Sequence, residues 1–138
     1  MGAWVSIRNL AVQARTNADM ERLKAVLGQR LPAYKELFVA ALGYYRMLAP
    51  LETGQFDVTA VEPAETAMKQ AEGSILFVDL EYQQCWSNFW QLARYTKERA
   101  QQVGDDADAR IKLWREGVTD LAAPLEEMRA IAMDRFLP

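Results

Sequence analysis

A chain of 138 residues, 51% hydrophobic and 25% charged, is long enough to bury one core and too apolar to stay unfolded, so residues 1–138 read as a single domain that needs no metal or disulfide to hold it. The net charge of −3 removes any global attraction to nucleic acid. A lone cysteine excludes an internal disulfide, and the absence of histidine removes the commonest general base and zinc ligand.

Seven glycines and five prolines leave few turns, which favours a few long helices over many strands. Trp4, Ile7, Ala11, Ala14 and Ala18 recur at helical spacing, so a helix is expected from about Ala3. Thr16 and Asp19 resemble a capping box, and the helix either restarts there or runs through to Gly28, with Met20, Leu23 and Leu27 continuing its apolar side. Leu31-Pro32 breaks it. The next helix is predicted from about Pro32 to Leu48, burying Tyr34, Leu37, Phe38, Ala41, Leu42, Tyr45 and Leu48, and a close helix–helix approach would explain Gly43 within it. Residues 51–62 read as a loop with Phe56 pinned to the bundle. Pro63 then opens a short helix ending near Glu72.

The organising element is predicted at about 74–103. Ser74 serves as its cap, and Ile75, Val78, Tyr82, Cys85, Phe89, Leu92, Thr96, Arg99 and Val103 alternate steps of three and four. At 1.5 Å per residue this rod is about 45 Å long. Beyond Gly104, acidic Asp105-Asp106 introduces a C-terminal helix with the stripe Ala107, Ile111, Trp114, Val118, Leu121, Leu125, Met128 and Ala132. The two stripes imply an antiparallel hairpin. Pro124 either kinks this last helix or opens a further one after Gly117; the unbroken phase of the stripe favours the kink. The expected fold is all-α, a single-domain bundle of five or six helices around the central one.

Catalytic constellations are missing from this pattern. There is no glycine-rich phosphate loop and no second cysteine, and Asp79 and Glu81 stand two residues apart on a helix, facing different ways. Cys85 lies on the apolar stripe, where a thiol acts as a small hydrophobe. No cofactor or metal is expected, and the chain reads as a non-enzyme. No secretory signal is apparent, and the longest apolar run, Leu37 to Tyr45 apart from Gly43, is far short of a membrane span. Met1 to Ser6 fits the loose N-myristoylation pattern, which chance supplies easily. A cytoplasmic location follows from these features together.

Binding surfaces remain. Charge is unevenly placed: residues 1–50 hold seven Lys/Arg against three Asp/Glu, residues 51–93 one against seven, and residues 94–138 eight against nine. This polarity serves either internal matching between helices or a divided docking surface. The central helix concentrates aromatics, and Trp86, Trp90, Arg94 and Tyr95 are the expected protein-binding patch unless its neighbours bury them. The acidic residues Glu62, Glu65, Glu72, Asp79 and Glu81 are expected to face a basic partner and steer association. The first functional expectation is therefore a protein-binding module, an inhibitor or adaptor of the kind carried by phages and mobile elements against nucleic-acid-handling complexes of the host. The alternative is nucleic-acid binding along a basic ridge of Arg8, Arg15, Arg22, Lys24, Arg30 and Lys35. A third reading is a homo-oligomer, at its simplest a homodimer, with the aromatic patch between copies.

Overall fold

A computed structural model describes residues 17–25 and 32–136. The described residues are helical with no strand among them, and they form a bundle as the apolar spacing predicts. α1 is the helical segment 17–25, which places Met20 and Leu23 in the core. α2 is Pro32–Leu48, α3 Val58–Ala71, α4 Leu80–Gln102 and α5 Ala107–Phe136; short 3-10 turns at Ala49–Thr53 and Glu72–Phe77 link α2 to α3 and α3 to α4. No helix among the described residues is long and apolar enough to cross a membrane.

α4 and α5 form the antiparallel hairpin. Gly104, at φ 62°, takes the left-handed conformation that closes α4, and Asp106 caps α5 by accepting the Ala109 N–H at 3.1 Å. Their facing surfaces bury Cys85, Phe89, Ala93 and Ala100 from one side and Trp114, Leu121, Leu125 and Met128 from the other. α5 is one helix that passes through Pro124, whose ring is itself buried.

α2 runs parallel to α4 and is embedded on two sides. Tyr34, Leu37 and Tyr44 meet Tyr82, Trp86 and Trp90 in register, while Tyr45 packs on Trp114 at 5.6 Å between ring centroids and Tyr34 on Phe136 at 5.1 Å. Tyr44 is therefore a core residue, and Tyr45, expected on the buried stripe, is only half-buried. The α2–α3 connector crosses the start of α5 so closely that a Cβ on Gly54 would lie 2.9 Å from the Ala107 Cβ; Gly54 also has φ 80°, which suits glycine alone.

Two boundaries depart from the sequence reading. The central helix does not begin at Ser74: residues 72–77 form a 3-10 turn, Val78 is extended, and α4 starts at Leu80 with Asp79 as its cap. α3 begins before Pro63, at Val58, with Asp57 accepting the Thr59 N–H at 3.0 Å, so much of the expected loop is helix and Val61 is buried. Gly43 has no atom within 4 Å of where its Cβ would stand among the described residues, so no close helix approach accounts for it.

Candidate functional site

The aromatic patch expected on α4 is core. Trp86 is 1% and Trp90 6% exposed. The Trp86 indole N–H donates to the Leu37 carbonyl at 3.0 Å, and Tyr44 meets Trp90 edge to face at 5.5 Å. Arg94 lies over the outer face of Trp90, 4.7 Å from the ring centroid, and seals it. Of the four expected residues only Arg94 and Tyr95 reach solvent. α4 is packed on several sides, so its aromatic richness reflects burial.

The acidic residues do not form one face. Glu65 is half-buried and accepts from Lys97 Nζ at 2.6 Å, an ion pair joining α3 to α4. Asp79 and Glu81 both pair with Arg135 at the far end of α5. Glu62 and Glu72 are exposed. In the basic ridge, Arg8, Arg15 and Arg30 lie outside the described residues. Arg22 is exposed, Lys35 is half-buried and Lys24 stands 3.7 Å from Glu21, which also accepts from Arg46 at 2.5 Å.

What the molecule does present is the turn between α3 and α4. Leu76 is 83%, Phe77 77% and Leu80 66% exposed, the three highest values among the large hydrophobic residues described. The three fall within five residues, on the 3-10 turn and the first residue of α4, and this exposed apolar segment is the tip of the connection. Its base is pinned at both ends. Ser74 Oγ donates to Glu36 at 2.6 Å, Val78 is buried, and Gln83 Nε2 donates to the Val78 carbonyl at 2.9 Å.

Asp79, directly behind the tip, is engaged on every polar atom of its carboxylate and on its backbone N–H. One carboxylate oxygen caps α4 by accepting the Tyr82 N–H at 3.1 Å; the other accepts from the Tyr34 hydroxyl at 2.5 Å and from Arg135. The Asp79 N–H in turn donates to the Tyr34 hydroxyl at 3.1 Å, and the Tyr82 hydroxyl donates to the Tyr34 carbonyl at 3.1 Å. Desolvation by burial pushes the Asp79 pKa up, but the bonds from Tyr34 and the Tyr82 N–H, together with the Arg135 charge, outweigh it and hold the carboxyl below its ordinary range. Burial and the same hydrogen bond push the Tyr34 hydroxyl up.

Burial drives the Cys85 thiol up to about 12, reinforced by Glu127, whose carboxylate accepts its S–H at 3.2 Å. The described residues hold no group of three or more metal-ligating side chains. A groove of about 580 Å³ between α2 and α3 is walled by Val39, Ala40, Gly43, Ala64, Ala67 and Ala71, and Lys35 and Glu36 stand at its edge. Compared with protein families, with curated proteins and with solved structures, the chain matches none.

Sequence reasoning missed the tip because it started α4 six residues early and so carried Leu76 and Phe77 onto the flank of a helix. The signal for the true start was present: Asp79 followed by Glu81 is an N-cap with an acid in the first turn.

Proposed function

We propose that this protein is a non-enzymatic protein-binding module, an inhibitor or adaptor that acts on a larger assembly by presenting the Leu76–Phe77–Leu80 tip. One observation carries the reading: three large apolar side chains, each at least 66% exposed, lie within five residues where a turn anchored at both ends meets α4. An isolated exposed leucine is ordinary, but a cluster held out by a fixed backbone is where interface energy concentrates. Against catalysis stand the pairing of Glu65, Asp79 and Glu81 with cations and the high pKa of Cys85.

Affinity capture from the native host tests this. The wild-type chain is expected to recover a stoichiometric protein partner, and Leu76→Ser with Phe77→Ser to lose it while circular dichroism and melting temperature stay unchanged. If the wild-type chain recovers no protein at stoichiometric yield, the reading fails.

A further inference from the structure

Resting on that reading, we infer that the tip is received by an apolar pocket bordered by lysine or arginine side chains on a different protein, with Phe77 as the inserted anchor. The first ground is charge. Residues 72–81 carry Glu72, Asp79 and Glu81 and no lysine or arginine, within a stretch, 51–93, that holds seven acids against one base. Glu36 adds a further carboxylate at the base of the turn through its bond from Ser74, and Arg135 is engaged by Asp79 and Glu81, so it is not free to offset them. A surface that covers Leu76, Phe77 and Leu80 must come down beside these carboxylates. Like charge there costs affinity, whereas opposite charge speeds encounter and fixes register.

The same geometry argues against two other occupants. A second copy docked tip to tip would bring a rim of the same acidic charge, Glu72 and Glu81 included, against this one. An anionic bilayer is repelled by the rim, since membrane-surface segments depend on lysine and arginine to approach it.

Shape is the second ground. The turn is pinned by Ser74, buried Val78 and the Asp79 cap, so the tip is ordered before it meets anything and little conformational freedom remains to be lost. A fixed protruding knob suits a preformed pocket, and its central aromatic is the residue whose loss is felt most.

The test is photo-crosslinking of the full-length chain in extract of the native host, with a benzophenone-bearing phenylalanine analogue in place of Phe77. The expected product joins position 77 to one protein, at a segment of apolar residues flanked by lysine or arginine. With that protein purified, Phe77→Ala weakens binding by about 30-fold or more. Glu72→Gln with Glu81→Gln slows association several-fold and flattens its dependence on salt. A crosslink between two copies of this chain, labelling of phosphatidylcholine–phosphatidylserine vesicles, or attachment to a segment without nearby lysine or arginine overturns the inference. If affinity capture yields a partner but position 77 stays unlabelled, this inference fails and the binding-module reading stands. If no partner is captured at all, both fail.

Discussion

Trp86 and Phe77 are nine residues apart, both aromatic, and both lie in what the sequence presents as one continuous helix, yet Trp86 is 1% and Phe77 77% exposed. The difference is made between them, at Asp79. Behind it the chain is α-helical, and every third or fourth side chain is committed to α2 or α5. Ahead of it the chain is a 3-10 turn with a different period, on which Ile75 packs against the core while Leu76 and Phe77 stand out in solvent. Aromatic density therefore marks a core on one side of a helix cap and a surface on the other, and the cap is the residue to locate first.

The largest expected effect that sharpens this contrast is on the core side. Trp86→Ala should cost about 3–5 kcal/mol in urea or thermal unfolding, since it empties a fully enclosed site and removes the bond to the Leu37 carbonyl. A loss comparable to that of a surface change would place Trp86 outside and break the comparison. Next comes the divide itself. Asp79→Ala should cost about 1–2 kcal/mol through the lost cap and the partners left behind on Tyr34 and Arg135. The pH dependence has a definite sign. The folded carboxyl titrates below its ordinary value of 3.8, so its contribution is present above that value and is lost as pH falls through the lower, folded one. Asp79→Asn keeps the cap oxygen but should flatten the acid limb of the stability curve below about pH 4, measured by denaturant titration across pH.

Smaller still, Gly43→Ala should stabilise by about 0.5–1 kcal/mol, because α2 gains helix propensity and the new Cβ meets no described atom. Destabilisation in a melting experiment would show that something covers this face of α2. The smallest effect belongs to the tip. Phe77→Ala should shift stability by no more than about 0.5 kcal/mol, which sets its role apart from that of Trp86.

Much of this architecture was legible because tertiary packing keeps helical phase. The limits of α2 are bracketed by Pro32 and Pro50, the hairpin turn is marked by Gly104, and the stripe through Leu121, Leu125 and Met128 holds its phase across Pro124. The start of α4 was hidden because Ile75 and Val78 are three apart, a spacing that suits a 3-10 turn as well as an α-helix. The start of α3 was hidden because a proline usually marks a first helical turn, whereas Pro63 lies on the exposed side of a helix already begun at Val58. The fate of the acidic residues was not legible at all. Glu65 finds Lys97 across 32 residues, and Asp79 and Glu81 find Arg135 across 56 and 54. Which carboxylates are consumed inside the bundle and which face outward depends on where helices lie in space, and local spacing does not encode that.

The bond from Arg135 to Asp79 has a consequence in time. The guanidinium is synthesised 56 residues after the carboxylate it meets. At ribosomal speeds of about 5–20 residues per second, the segment behind Phe77 waits roughly 3–11 s before its last fastening exists. A nascent chain stalled short of Arg135 would thus carry the exposed Leu-Phe pair on a looser mount, and that interval is when a chaperone has its best access to it.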